Sequence, residues 1–451
     1  MESNKLLTGN IYKPFAKYVS LNILSMIGLS CYILADTFFI ANGVGPDGLT
    51  ALNLVLPAFS LLTGTGMLLG MGAATRFAIL KGEGQQEKAN TMFTYAMGAG
   101  AVLGIIYTVL GVVFAEDISR LLGAGGAILP ISAEYLRTLM IYSCAFVLNN
   151  VLICFIRNDH APNLAMTAMI TASLSNVVLD YIFIFPLGMG MFGAALATGI
   201  APIISIAVLS LHFARGKNSF RLQKCRPDFK SIGGIFSLGF PSFVMEMSNG
   251  IVIIILNFVI LGISGNMGVA AYGIVANLAL VAVSVFNGEA QGIQPIISYN
   301  YGAGNVRNIK KTYRLALITA LCLGVVLYLS GILFTDQIVS VFNRDNDPQL
   351  LALASRGVQL YFIVFLIMGI NIVTVSFFSS TARPVQSFVL SILRGFAAVI
   401  PFAAALPAFF GLDGAWLCIP AAEAVTLVLS VILIKKTRLK APNPVQAEMA
   451  A

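Results

Sequence analysis

The sequence predicts an all-α polytopic membrane protein with twelve transmembrane helices in two six-helix lobes related by a parallel internal repeat. Composition is the first reason. Of 451 residues, 58% are hydrophobic and 10% are charged, where a soluble domain carries about 25% charged residues; mean hydropathy is +0.89. Pattern is the second. Apolar stretches of about 20 residues or more follow one another across short polar gaps, without the alternation of barrel strands. The third is a similarity between the sequences on either side of the longest polar gap, residues 215–230.

The spacing predicts helices over 15–42, 49–79, 90–114, 131–156, 162–185, 191–214, 232–262, 268–299, 310–334, 350–379, 385–409 and 412–434. Several exceed the ~20 residues needed to span, which predicts tilt or extension beyond the bilayer. About a dozen polar residues precede an apolar segment longer than a signal-peptide core, so the first helix is expected to stay. The prolines at 57, 202, 241, 295, 401, 407 and 420 permit kinks.

Basic residues set the expected orientation. Arg120, Arg137, Arg344 and Arg356 flank the odd-numbered gaps. All the other Lys and Arg lie at the termini or beside the even-numbered gaps, among them Lys5, Lys81, Arg157, Arg394 and Lys440. The positive-inside rule then places both termini in the cytoplasm. The net charge of +8 follows from this bias. An anionic inner leaflet accounts for it, and no nucleic-acid partner is needed.

Across the 215–230 gap, Gly45, Gly48 and Ala51 match Gly265, Gly268 and Ala271, and Gly72, Gly82 and Gly84 match Gly292, Gly302 and Gly304. All six pairs share one offset, 220 residues (265 minus 45). Gly190 and Gly193 match Gly411 and Gly414 one residue later, and Pro162 matches Pro384 two residues later. Six helices per half give both halves the same topology, related by an axis along the membrane normal. The expected organisation is a first lobe over 1–214, a basic cytoplasmic linker over 215–230, and a second lobe with a short tail over 231–451.

Asp36 and Asp180 lie deep in apolar stretches. A central acid costs roughly 2.5–3.5 kcal/mol to insert, so such residues are rare and tend to be functional. Asn176 lies four residues before Asp180, on the same helix face. Glu246 and Glu289 form a second acidic pair that either faces a cavity or is solvated near a membrane surface. Asn149 and Asn150 line a cavity or join helices. Arg157, Asn158 and Asp159 read as a corner that closes a gate or caps a helix. The six cysteines have no paired spacing and the two histidines lie near segment ends. That argues against a disulfide framework, a zinc site or a metalloenzyme.

The chain resembles the multidrug and toxic compound extrusion family of antiporters. The resemblance covers nearly the whole chain and rests on Ala35-Asp36-Thr37-Phe38-Phe39-Ile40, Gly70-Met71-Gly72-Ala73-Ala74-Thr75, Arg157-Asn158-Asp159 before Pro162, Asn176 to Asp180, Gly193 to Thr198 and Gly292 to Gly304. It looks closest to the bacterial branch of DNA-damage-inducible-type and cationic-drug exporters. The resemblance implies a site for a coupling cation, Na+ or H+, at Asp36, Asn176, Asp180 and Thr198. Two carboxylates, an amide and a hydroxyl supply the oxygens that sodium wants; a proton needs a single acid. Asp36, Asn149, Asn150, Glu246, Glu289 and Gln291 are the candidate substrate residues. Some relatives are acidic near Gln291, whereas the acid here is Glu289. Glu423 resembles a common acid of the family, read as structural. The helix-one proline of some relatives is absent between Phe15 and Asn42, although Gly28 offers a hinge.

The function expected is export of organic, lipophilic cations by alternating access of two lobes, in the inner membrane, as a monomer and without a cofactor. A lipid-linked precursor flippase of the same superfamily is the nearest alternative. Such proteins line their cavity with arginines, and the intramembrane charges here are mostly acids. A membrane-embedded enzyme would need a nucleophile–base pair or metal ligands, which neither histidine provides. A receptor-like protein would leave the buried acids unexplained.

Overall fold

A computed structural model of the chain describes residues 10–226, 228–340, 342 and 347–439. Lys5, Arg344, Lys440 and the tail beyond 439 lie outside the described residues. The described residues form helices and connecting segments, with no strand among them. The first half contains α1 (Tyr12–Gly43), α2 (Pro46–Gly82), α3 (Gln86–Val113), α4 (Ala115–Leu121), α5 (Ile128–Ile141), α6 (Ser143–Asn158), α7 (Pro162–Ile184) and α8 (Gly190–Ala214). The second contains α9 (Phe229–Gly302), α10 (Val306–Leu333), α11 (Thr335–Ser340), α12 (Pro348–Tyr361), α13 (Phe365–Ser380), α14 (Pro384–Ile392) and α15 (Val399–Lys436).

Among the described residues nine helical stretches are long and apolar enough to span, and the pair α5–α6, bent by 50°, makes a tenth. Two of the ten are each a pair of spans. In α9 the backbone breaks at Gly265 (φ +60°), and in α15 at Gly411 (φ +56°). A β-carbon disfavours that left-handed backbone, so glycine marks each reversal. Twelve spans result.

The backbone carries the repeat. Gly45, Gly84 and Gly190 have positive φ, and so do their mates Gly265, Gly304 and Gly411. Even the non-glycine exceptions pair: His160 (φ +63°) and Ala382 (φ +54°) each stand two residues before a matched proline. Fifty-degree bending at Tyr142 has no counterpart in composition, since no proline or glycine lies there.

The halves meet along a seam made by α1 and α2 against α9. At one end of it the repeat mates touch reciprocally. A Cβ on Gly82 would overlap the carbonyl oxygen of Tyr299, and one on Gly302 would overlap that of Ile79. Gly288 and Gly292 leave similar room for the α1 backbone at Asn22–Ile23 and Tyr18–Val19. The first half of α1 accordingly shares a core with Ile293, Ile296 and Ile297, whereas Ile40 packs with the first lobe. Helix α1 thus crosses the seam.

The linker after α8 is strapped to the first lobe. Phe220 is buried, with its ring 4.6 Å from that of Phe93 and 5.5 Å from that of Phe155. Asp159 fixes the strap: its Oδ2 accepts from the Ser219 amide at 2.7 Å and lies 2.9 Å from His212 Nε2, while Lys81 Nζ donates to Oδ1 at 2.8 Å. The Ser219 hydroxyl also bonds Oδ1. Burial raises this carboxyl, but the His212 and Ser219 hydrogen bonds and the Lys81 charge outweigh it and hold it at about 2. A depressed carboxyl stabilises the fold above its unfolded value, about 3.9, and ceases to do so as pH falls towards 2. A fluorophore on Cys225, the other cysteines being replaced, should therefore report a docked linker from neutral pH to about 4 and its release below that. Asp159→Asn, which breaks a buried pair of the kind worth about 3–5 kcal/mol, should release it at neutral pH.

Candidate functional site

Three helices of the first lobe carry the four residues expected to form a cation site. Asp36 projects from α1, Asn176 and Asp180 from one face of α7, and Thr198 from α8. Helix α7 packs between α1 and α8, which brings the four together. All four are buried; Asp180 and Asn176 are fully inaccessible, and Asp36 keeps 7% of its surface.

The two carboxyl groups face one another within hydrogen-bonding reach. In the amide orientation that satisfies both neighbours, Asn176 donates to Asp180 Oδ2 at 3.0 Å and accepts from the Thr198 amide at 3.3 Å. Asp36 Oδ1 and Asp180 Oδ1 have no hydrogen-bond partner. Facing carboxylates repel in a low dielectric, and a shared proton or a bound cation removes the repulsion. The orphaned oxygens fit either ion. Among the described residues no cluster of three or more His, Cys, Asp or Glu exists to hold a transition metal.

Two tyrosines join the site. Tyr135 of α5 faces Thr198 and lies within electrostatic reach of both acids, as does Tyr32 of α1. Tyr32 was open to sequence reasoning, since it precedes Asp36 by one helical turn on the same face. Tyr135 arrives by tertiary packing and left no local signal.

The candidate substrate residues separate. Glu246 faces the first lobe across the seam, where it accepts from Thr63 Oγ1 at 3.3 Å and lies within electrostatic reach of Tyr32. Asn149 is partly buried with an unpartnered Oδ1. Asn150 donates to its own helix at Phe146 O, 3.0 Å, and packs on Gly66. Gln291 accepts from Arg157 at 2.6 Å in the seam. Glu289 is fully buried and both of its carboxyl oxygens lack partners, so it belongs neither to an open cavity wall nor to a solvated surface.

Of the basic residues counted with the polar gaps, Arg157 is buried and Arg394 is half-buried. Arg157 is inaccessible within the seam. Arg394 sits in a π-helical turn at 393–397 and pairs with Glu423 at 2.7 Å, which also accepts from Asn371 Nδ2 at the same distance. Glu423 thus has a structural partner in the second lobe.

A sequence model of the MatE family matches residues 22–182 and 241–405. The multidrug export protein MepA of Staphylococcus saprophyticus is 27% identical over 409 residues, with 89% of each chain covered. Its counterpart from Staphylococcus haemolyticus is 28% identical over 414 residues, covering 90% of this chain and 89% of that one. Among solved structures, a MATE protein in complex with MaL6 superposes with a TM-score of 0.91 at 24% identity, over 96% of this chain and 98% of the other. An outward-facing multidrug resistance MATE transporter of the MOP superfamily gives 0.91 at 23%, over 96% and 97%. At such identities the structural likeness is one of fold: twelve helices in two lobes.

Proposed function

This chain belongs to the MatE family, and from that premise we propose that it is a cation-coupled antiporter that exports organic, lipophilic cations from the cytoplasm. The observation that carries the coupling is the pair of facing, buried carboxyls of Asp36 and Asp180 with unpartnered oxygens. Sodium or a proton moving inward down its gradient binds there. Asn176, Thr198, Tyr32 and Tyr135 complete an oxygen-lined pocket, and Glu246 offers an acid on the opposite wall to a cationic substrate.

The basic residues beside the sealed end of the seam support a cytoplasmic location for that end. On this reading both termini are cytoplasmic, the membrane is the inner one, and the described state faces outward. Asp36 lies about 20 Å along α1 from the sealed contacts at Asn22, so ion binding acts on the lobes at a distance. Coupling requires the ion and the substrate to prefer different states of the lobes.

The test uses reconstituted vesicles loaded with a fluorescent lipophilic cation, with sodium and proton gradients imposed separately. Efflux driven by one gradient is expected and identifies the ion. Transport indifferent to both would defeat the coupling. Efficient movement of a lipid-linked pyrophosphate under the same conditions would favour a flippase instead.

A further inference from the structure

We propose that Arg157 is the clasp that holds the two lobes together at the sealed end of the seam. Its guanidinium is fully buried, yet no carboxylate accepts from it among the described residues. Nη1 donates instead to two neutral amides, Asn22 Oδ1 on α1 at 2.8 Å and Gln291 Oε1 on α9 at 2.6 Å. Nη2 lies 3.3 Å from Met71 Sδ on α2. One side chain of α6 therefore ties the first lobe to the second.

Its place is symmetric. Met71 and Gln291 are repeat mates, 220 residues apart, and both touch this one guanidinium, so Arg157 lies beside the axis that relates the lobes. The next residue extends the tie: Asn158 Nδ2 donates to Gln294 Oε1 at 2.9 Å, and Gln294 Nε2 donates to Thr75 Oγ1 at 3.1 Å. Among the described residues no second clasp mirrors it, because Ser379, the mate of Arg157, donates to Leu238 O within its own lobe.

The choice of neutral acceptors explains how such a clasp can open. A buried guanidinium makes strong hydrogen bonds but surrenders hydration, and without a counter-ion it recovers little of that loss by Coulomb attraction. When the lobes part, water replaces both amides. A carboxylate partner would hold the seam far more firmly against turnover.

The inference rests on the alternating-access reading, but its test needs neither substrate nor gradient. Spin labels on the exposed positions Lys88 and Arg307, one per lobe, report the width of the sealed end in a cysteine-free background. The wild type should give one short distance. Arg157→Ala should add a longer population and lower the closed-to-open ratio about tenfold or more, the scale of a lost charge-assisted bond. Arg157→Lys should restore most of the closed population. In vesicles Arg157→Ala should keep substrate affinity while efflux falls at least about tenfold.

A folded Arg157→Ala protein with the wild-type distance distribution would overturn the assignment. If that variant does not fold, Gln291→Ala removes the second lobe's half of the bridge; it should broaden the distances in the same way, and an unchanged distribution would be equally fatal. Wild-type efflux that ignores both gradients would count against cation coupling and leave the clasp standing.

Discussion

Asp36→Asn should abolish gradient-driven efflux from vesicles while the protein folds and inserts as the wild type does. The substitution keeps the shape of the side chain and removes its charge. Asp36 and Asp180 face each other with one orphaned oxygen apiece, so a bound ion is held by both. Removing one member of a buried charged pair is worth about 3–5 kcal/mol. Cation affinity should fall by about two to three orders of magnitude, beyond what physiological gradients can offset. The measurement is the rate of efflux of a fluorescent lipophilic cation, beside the melting temperature as a folding control. Normal efflux from Asp36→Asn would remove Asp36 from the mechanism.

Gly302→Val should hold the lobes apart at the sealed end and stop turnover. The added side chain would overlap the backbone carbonyl of Ile79, which no side-chain movement can relieve. Its repeat mate Gly82 meets Tyr299 in the same way, so the closure depends on two glycines at one crossing. Efflux should fall by more than about tenfold, since overpacking a close contact costs about 1–3 kcal/mol or more. Spin labels at Lys88 and Arg307 should show a longer distance. Gly262→Val is the control: a Cβ there meets nothing within 4 Å, and transport should survive. Closure as in the wild type for Gly302→Val would mean that this crossing does not govern the seam.

The architecture was legible because membrane helices announce themselves by composition and because the repeat glycines mark backbone geometry. Gly265 and Gly411 appear in sequence as two matched residues among many and in the fold as the reversals between paired spans. The bend at Tyr142 was not legible, since its cause is packing against other helices. The short surface helices α4 and α11 were likewise absorbed into polar gaps. Of the candidate cation site, the four named residues were brought together by the folding of α1, α7 and α8, and Tyr32 was within reach of the same periodicity argument. Tyr135 was not, because nothing local distinguishes it from other aromatic residues in a chain with 14 tyrosines and 31 phenylalanines. Arg157 and Arg394 count in sequence only as charges beside polar gaps, because a charge count along the chain cannot see the amides, or the Glu423 carboxylate, that receive them. Leu256 stands where the repeat would place Asp36, and it is buried in the second lobe's apolar core.

The central claim is that the acid pair links cation binding to substrate binding. By linkage, a cation that weakens substrate binding by some factor must itself be weakened by the substrate by the same factor. The direct measurement is the dissociation constant of a fluorescent lipophilic cation for the purified protein, titrated against sodium at fixed pH and against pH without sodium, for the wild type and Asp180→Asn. The account predicts that substrate affinity in the wild type falls as one of the two cations rises, and that Asp180→Asn removes that dependence. A wild-type affinity indifferent to both cations, or a dependence that survives intact in Asp180→Asn, would contradict it.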